Sequence, residues 1–204
     1  MHKNMKLLAF TDIHANMQLM ERIKRVVKQE QVDLAVCTGD FTVFGSSTKK
    51  IMTALNDLGC PLVLIHGNHE DEDEVEHLLP QFKNIHYAHM KVVDLKGLRF
   101  IGFGGHGFRR QEPELEMLEK ELAKQFDGKT IFLCHAPPYN TTLDEVDADW
   151  HVGNESLTNL IRRRKPMLVL CGHIHETFHR HDTLAGTTLI NPGPDGENIE
   201  VDDA

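Results

Sequence analysis

The sequence predicts an α/β protein, because short apolar runs alternate along it with segments of helical spacing. Five runs of four or five residues are rich in leucine or β-branched side chains: KLLAF, DLAVC, PLVLI, KTIFL and MLVL. Gly, Pro or polar residues bound each run, which is typical of short buried strands. Strands that alternate with helices form largely buried sheets, so we expect helices on the sheet faces.

Two segments between the runs have the apolar stripe of an amphipathic helix. The first stripe comprises Met20, Ile23, Val26 and Val27. The second comprises Leu115, Leu118, Leu122 and Phe126. Pro113 is suited to the first turn of this second helix, and Asn16 and Asn154 are candidate N-cap residues.

Two other segments have the pattern of β-hairpins. IHYAHMKVVDLKGLRFIGFGG turns at Lys96 and Gly97, and TFHRHDTLAGTTLINPGP turns around Leu184, Ala185 and Gly186. Hairpin strands are antiparallel, so we expect mixed sheets rather than one purely parallel sheet. No internal repeat, linker or low-complexity segment interrupts the chain, and its 204 residues suit a single domain over residues 1–204.

The charge and the apolar content argue against several classes of function. A formal net charge of -9 disfavours a long nucleic-acid partner, because phosphate backbones are bound by clustered Lys and Arg. One small phosphorylated substrate remains compatible with this charge if bound cations reverse the local field. No apolar run approaches the roughly 20 residues of a membrane span, and the N-terminal run is too short for a signal peptide. We therefore expect a cytoplasmic protein without a membrane partner, and the sequence leaves its oligomeric state open.

All five apolar runs end in Asp, Asn or His, within the blocks TDIH, TGD, HGNHE, CHAPP and CGHIH. Because ligands bind at the carboxyl ends of strands in such sheets, we expect one site there. The candidate metal ligands are Asp12, His14, Asp40, Asn68, His135, His173 and His175. In an extended chain, Asp12 and His14 can face one metal while Ile13 faces the core. The block GHIH has the same spacing, with Ile174 turned inward.

These candidates offer nitrogen and oxygen donors, and no cysteine lies in a C-x-x-C pair that would suggest a thiolate site. Such a donor set accepts Mn, Fe, Zn or Ni. Seven ligands are too many for one ion but suit two. Two divalent metals can clamp an in-line displacement at phosphorus and lower the pKa of a bound water toward neutrality. The sequence therefore predicts two divalent metal ions and a small phosphorylated substrate.

The stretch CGHIHETFHRH also contains HETFH, which fits the H-E-x-x-H pattern of zinc metallopeptidases. That chemistry needs a helix, because only there do residues four apart meet on one metal. A strand-like run precedes this stretch and a predicted hairpin follows it, so the local sequence argues against a peptidase.

The blocks DIH, GD, GNHE, CHAP and GHIH, in this order, resemble the calcineurin-like metallophosphoesterase family over residues 12 to 175. The resemblance implies two mixed β-sheets sandwiched between helices, with a dinuclear metal site at the strand ends. It assigns one metal to Asp12, His14, Asp40 and His175. It assigns the other metal to Asp40, Asn68, His135 and His173, so that Asp40 bridges the pair.

The histidine that the family has in the third block falls on His69, with the implied role of binding the phosphate or protonating the leaving oxygen. The residue pattern agrees, because His69 follows Asn68 and points to another side, where a histidine is a credible general acid. Glu70 stands where the family usually has Asp. Two roles are open for Glu70: it orients His69, or it caps the acidic helix predicted in DEDEVEHLL.

The segment from HAPPYNTTLDEVDADW to GHIHE resembles small bacterial and archaeal phosphoesterases related to the cyclic-nucleotide phosphodiesterase type. That subgroup often has Cys-Asp after GN in the third block, where this chain has His69 and Glu70, so the subgroup's substrate is not carried over. Two histidines are weaker candidates for substrate contact. His106 lies between glycines in FGGHGFRR, and His151 precedes a predicted helix start, where an anion can bind.

The function we expect is divalent-metal-dependent hydrolysis of a phosphoester, with a small phosphodiester as the preferred substrate. In this scheme a hydroxide that bridges the metals attacks phosphorus, and His69 assists the leaving group. Two alternatives stay open, a phosphomonoesterase and a non-catalytic binding scaffold of the same fold. The presence of all seven candidate ligands and of His69 argues against the scaffold.

Overall fold

The structure, a computed structural model, describes residues 4–105 and 107–201. Its strands are β1 (Met5–Phe10), β2 (Leu34–Cys37), β3 (Leu62–Leu64), β4 (Ile85–Tyr87), β5 (Val92–Leu95), β6 (Leu98–Phe103), β7 (Thr130–Cys134), β8 (Glu145–Asp147), β9 (Trp150–His151), β10 (Leu168–Leu170), β11 (His181–Leu184), β12 (Thr187–Ile190) and β13 (Glu197–Val201). Its α-helices are α1 (Met17–Glu30), α2 (Thr48–Asn56), α3 (Glu72–Leu78), α4 (Pro113–Glu121) and α5 (Glu155–Arg164). Short 3-10 turns lie at Leu79–Gln81 and His175–Thr177.

Most of the strands form two mixed sheets. The first sheet has the order β13-β1-β2-β3-β4, in which only the β13 pairing is antiparallel. The second has the order β11-β12-β10-β7-β6-β5, with a parallel centre and an antiparallel strand at each edge. A small hairpin of β8 and β9 stands apart from both. The predicted mixed sheets are confirmed.

The two sheets pack face to face, and helices cover their outer faces. A central apolar cluster joins Val36 of β2 to Ile131 of β7 and Leu170 of β10. Helices α1, α2 and α3 pack on the outside of the first sheet, and α4 and α5 on the outside of the second. Both faces of each sheet are therefore buried, which explains why the strands are apolar runs without alternation. The expected sandwich of two sheets between helices is confirmed.

Local sequence signals set most of the element boundaries. The five predicted strands are β1, β2, β3, β7 and β10. Asn16 and Asn154 cap α1 and α5, and each side chain accepts backbone N–H bonds of the first turn. Both hairpins turn where expected, through Lys96 and Gly97 and through Ala185 and Gly186, with a positive φ at every one of these residues.

The α4 helix is shorter than its apolar stripe suggests. Leu122 is already the C-cap, and the chain turns there through a bond from the Gln125 N–H to the Leu122 carbonyl. Phe126 nevertheless packs on the same apolar cluster, with its ring 6.0 Å from that of Phe132. The periodicity therefore identified a buried face correctly but extended the helix by one turn too many.

No helix within residues 4–105 and 107–201 combines the length and the apolar character that a membrane crossing requires.

The crossing of two loops at the carboxyl ends of β2 and β3 leaves no room for a side chain at position 39. Gly39 has a φ of 103°, and a Cβ there would lie 2.5 Å from the Gly67 nitrogen. We expect Gly39→Ala to lower the free energy of unfolding by about 2–4 kcal/mol, through backbone strain and overpacking. Urea unfolding followed by circular dichroism measures this change.

The matched control is Gly128→Ala, because a Cβ at Gly128 meets nothing within 4 Å. We expect that variant to stay within about 1 kcal/mol of the parent protein. A loss in Gly39→Ala as small as that of the control would show that the loop crossing tolerates a methyl group.

Candidate metal centre and active site

The carboxyl ends of β1 and β10 bring the first group of predicted ligands together. The His14 Nε2 atom lies 3.4 Å from His175 Nε2. Asp12 Oδ1 lies 3.8 Å from the first of these nitrogens and 3.6 Å from the second. One cation can be reached by all three side chains, which are three of the four residues that the family resemblance assigns to one metal.

The ends of β2, β3 and β7 and the loop after β10 assemble a second group. His135 Nε2 lies 3.3 Å from Asp40 Oδ2 and 3.0 Å from Asn68 Oδ1. The His173 ring is 5.1 Å from the His135 ring, and a donor atom of each lies within reach of a cation shared with Asp40. The Asp40 carboxylate is also close to His14 and so lies between the two groups.

The backbone selects a metal-binding tautomer for two of these histidines. The Nδ1–H of His14 donates to the Thr42 carbonyl at 3.2 Å, and that of His135 donates to the Thr38 carbonyl at 2.9 Å. In the neutral ring each Nε2 then presents a lone pair to the cluster. Histidines that bind metals usually donate their other ring N–H to a carbonyl or carboxylate in this way.

Each carboxylate in the cluster has one oxygen tied to the protein and one directed at the imidazoles. Asp12 Oδ2 accepts from the Thr11 hydroxyl and the His173 N–H, while Asp40 Oδ1 accepts from the His69 N–H. Among the described residues, Asp12 Oδ1 and His173 Nε2 are buried atoms without a hydrogen-bond partner. Because buried polar atoms are normally paired, these atoms fit the role of donors to divalent cations.

The charges in the cluster perturb one another strongly. Burial would raise the pKa of Asp40, but the hydrogen bond and charge of His135 lower it to about 2. Burial would lower the pKa of His135, but its contact with Asp40 raises it to about 9. Burial and the charge of His135 lower the pKa of His173 to about 4. The Asp40 carboxylate is therefore ionised and His173 is neutral at pH 7, as metal ligands must be, whereas His135 is protonated and has to release its Nε2 proton when a cation binds.

The backbone at four of the seven predicted ligands is left-handed rather than extended, which corrects the geometric argument made from the sequence. The φ angles are 52° at Asp12, 42° at His14, 49° at Asp40 and 69° at His173. Ile13 and Ile174 do face the core, with 1% and 2% of their surface exposed. The loops curl because of bonds between them, such as the one from the Asp12 N–H to the Gly39 carbonyl. Such strain persists only where the surroundings hold it, as at many functional sites.

Glu70 performs neither of the two roles that the sequence left open. Its buried carboxylate accepts the backbone N–H groups of Asp40, Gly67 and Thr42 at 2.7–2.9 Å, together with the Thr42 hydroxyl. The cap of α3 is Asp71 instead. Burial and the Asp40 charge raise the pKa of Glu70, and its hydrogen bonds act in the opposite direction. Glu70 thus ties the loop after β2 to the loop after β3, because their inward N–H groups need an acceptor.

His69 differs from the predicted ligands in its tautomer. Its Nδ1 accepts the backbone N–H of Phe44 at 3.3 Å, so the neutral ring carries its proton on Nε2. That Nε2 lies 3.9 Å from Asp40 Oδ2. The Phe44 ring stacks on the imidazole with a centroid distance of 4.2 Å. His69 is therefore held as a hydrogen-bond donor beside the cluster, and Phe44, which sequence reasoning missed, holds it there.

An open cavity of about 430 Å³ lies over the cluster. Its lining comprises His14, Asp40, Val43, Asn68, His69, Phe108, His173 and His175. Val43 and Phe108 were not predicted, although both follow polar or glycine-rich blocks in loops at strand ends. Their position in loops at strand ends was the only sequence signal that could have identified Val43 and Phe108 as cavity residues.

Of the two weaker substrate candidates, the structure describes His151, which is not part of the lining of this cavity. His151 lines a separate cavity of about 240 Å³, where its Nδ1 lies 2.8 Å from the buried Asp144 carboxylate. His106 lies outside the described residues. Contact of either histidine with substrate stays a prediction.

The HETFH stretch does not form a peptidase helix. Residues His175–Thr177 form a 3-10 turn, and His179 has a φ of 62°. His175 faces Asp12, whereas His179 Nε2 lies 2.8 Å from Asp195. The two histidines therefore point to different partners. The first strand of the hairpin predicted in TFHRHDTLAGTTLINPGP begins only at His181, so His179 lies before β11.

A third cluster joins His66 of the loop after β3 to Glu72 of α3 and to His89, which follows β4. His89 Nδ1 accepts the Gly104 N–H at 2.8 Å, so its proton is on Nε2, which faces Glu72 at 3.2 Å. His66 Nδ1 bonds to the Tyr87 hydroxyl. Because the His89 lone pair is already used, this cluster is a hydrogen-bond network rather than a cation site.

The family model described as calcineurin-like phosphoesterase matches residues 5–177. An uncharacterized protein of Methanocaldococcus jannaschii is 30% identical over 95% of this chain and 90% of its own length. A probable cyclic nucleotide phosphodiesterase of Synechococcus is 28% identical over 74% of this chain and 61% of its own length. A crystal structure from Thermus thermophilus superposes with a TM-score of 0.76 over 94% of this chain and 90% of that one, at 17% identity.

The four bonds to Glu70 generate a prediction for the site. In Glu70→Gln an NH₂ group replaces one of the two acceptor oxygens. Because each oxygen accepts two hydrogen bonds, the NH₂ group would face two donors that then lack an acceptor. We expect the free energy of unfolding to fall by about 2–4 kcal/mol, and the affinity for Mn²⁺ to fall about 10- to 100-fold. Urea unfolding and calorimetric titration measure the two effects. Glu121→Gln, on the exposed face of α4, is the control. Unchanged Mn²⁺ affinity in Glu70→Gln would contradict the role of Glu70 in positioning the loops after β2 and β3.

Proposed function

The chain belongs to the calcineurin-like phosphoesterase family and is a metal-dependent phosphoesterase, and we propose that it hydrolyses a small phosphodiester at a dinuclear centre. The proposal treats residues 1–204 as one catalytic domain. The observation that carries it is the position of Asp40 between two groups of cation donors. A relative named as a probable cyclic nucleotide phosphodiesterase supports the preference for diesters.

In this proposal Asp12, His14 and His175 hold one cation, and Asn68, His135 and His173 hold the other, with Asp40 shared. Mn, Fe, Zn or Ni suits these donors. When bound, the two cations neutralise phosphate charge and supply an activated water near neutral pH. Their removal by a chelator abolishes hydrolysis in this scheme.

The protein's own groups position and protonate the substrate. The ionised Asp12 and Asp40 carboxylates are fixed by backbone N–H bonds, so they would hold the cations without rearrangement. His69 carries its proton on Nε2, at the edge of the cavity. It donates that proton to the oxygen that leaves phosphorus, which avoids expulsion of a free alkoxide.

Asp40→Asn tests whether two cations share one carboxylate. We expect the metal content after loading with Mn²⁺ to fall from about two ions per chain to one or none, because the shared charge is lost. Hydrolysis of bis(p-nitrophenyl) phosphate falls at least about 100-fold. Metal analysis by mass spectrometry and a p-nitrophenolate assay, run beside p-nitrophenyl phosphate, measure both effects. Asp73→Asn, exposed on α3, is the control. Full metal content and full activity in Asp40→Asn would contradict the dinuclear proposal.

His69→Ala tests the proton donor. We expect hydrolysis of diethyl phosphate to fall about 10²- to 10⁴-fold, since an alkoxide needs the proton. Hydrolysis of bis(p-nitrophenyl) phosphate falls less, because p-nitrophenolate leaves without protonation. Rates are measured at matched metal content, with His77→Ala on the exposed face of α3 as control. Equal losses on both esters would assign His69 to phosphate binding instead of proton transfer.

A further inference from the structure

The cavity over the cluster has a charged floor and an apolar rim. Its floor consists of Asp40 and imidazoles, whereas Val43 and Phe108 line it from the loops after β2 and β6. Val43 is 40% exposed and Phe108 is 70% exposed. Phosphate chemistry on the floor does not need apolar side chains beside it. Exposed apolar residues that border a polar site are typical of contacts with the organic part of a ligand.

Close packing holds Phe108 at this rim. Its ring lies 4.4 Å from the His173 ring at an interplanar angle of 59°. The preceding backbone presses on the same histidine, since a Cβ at Gly107 would lie 2.7 Å from His173 Cε1. The phenyl ring is therefore fixed on its inner side by His173, and its remaining surface is open to a ligand.

The neighbours of Phe108 indicate which part of the substrate it meets. His69, the proposed donor to the leaving oxygen, is stacked on Phe44. Phe108 packs on His173 instead, in the group that contains His135. The ring thus lies beside the second group of cation donors, where the ester group that stays on phosphorus would extend from the cavity.

We propose that Phe108, together with Val43, binds an aromatic ring in the retained ester group of the phosphodiester. The inference rests on the proposed function. A flat ring buries the open surface of Phe108 by stacking, whichever substituents it carries, because every aromatic ring has a π-face. A methyl ester reaches too little of that surface to gain from it. The site therefore selects aryl or base-bearing diesters over small alkyl ones.

The test uses two diesters with the same leaving group, phenyl p-nitrophenyl phosphate and methyl p-nitrophenyl phosphate, and Mn²⁺-loaded protein. We expect Phe108→Ala to lower kcat/KM for the phenyl ester about 5- to 100-fold more than for the methyl ester. We expect most of this difference between the two esters to appear as a higher KM for the phenyl ester. Phe108→Tyr retains the preference for the phenyl ester, and Phe108→Leu loses most of it. Comparing each variant with its parent cancels the intrinsic reactivity of the two esters.

A second readout keeps this inference separate from the hydrolytic activity. Dissociation constants of phenylphosphonate and methylphosphonate are measured by calorimetry on the same Mn²⁺-loaded proteins, with Trp150→Ala as a control at an exposed aromatic residue on β9. We expect Phe108→Ala, and not the control, to remove the preference for phenylphosphonate. Equal losses on the two ligands, or no change, overturn the aromatic contact. If neither diester is hydrolysed by the parent protein, the proposed function fails while the phosphonate pair still decides the inference.

Discussion

The buried carboxylate of Glu70 is the interaction on which the geometry of the centre depends. It accepts three backbone N–H groups and one hydroxyl from the loops that follow β2 and β3. Those two loops carry Asp40, Asn68 and His69. The Glu70 carboxylate binds the backbone of both loops, and it therefore sets the distances among these three side chains. A buried carboxylate is stable there only because four donors surround it. The position of Asp40 between two donor groups follows from this tie.

The main chain also divides the histidines by role. Imidazoles whose Nδ1 donates to a carbonyl, as in His14 and His135, present an Nε2 lone pair to the cluster when the ring is neutral. Imidazoles whose Nδ1 accepts a backbone N–H, as in His69 and His89, carry the proton on Nε2 and serve as donors. One residue type can therefore bind cations, protonate a leaving oxygen or brace a loop. The backbone group that bonds to Nδ1 determines the role of each imidazole, because it fixes which ring nitrogen is protonated.

Several features could be read directly from the chain. The apolar runs, the N-caps at Asn16 and Asn154, and the hairpin at Lys96 and Gly97 depend on neighbours within a few residues. The polar strand ends indicated the site, because parallel strands end at a common edge. The left-handed backbone at four of the seven predicted ligands could not be read in this way. It depends on bonds between loops that are far apart in sequence, such as the bond from the Asp12 N–H to Gly39.

The sequence by itself determined the layers of the fold, the family and the set of polar residues at the strand ends, since these follow from local periodicity and from ordered motifs. Only the tertiary structure decided how those residues act. It turned Glu70 inward to two loops, separated His179 from His175, and set Phe108 against His173. Hydrogen-bond partners and ring contacts of this kind join segments from different strands, so they exist only once the two sheets have packed and brought those segments together.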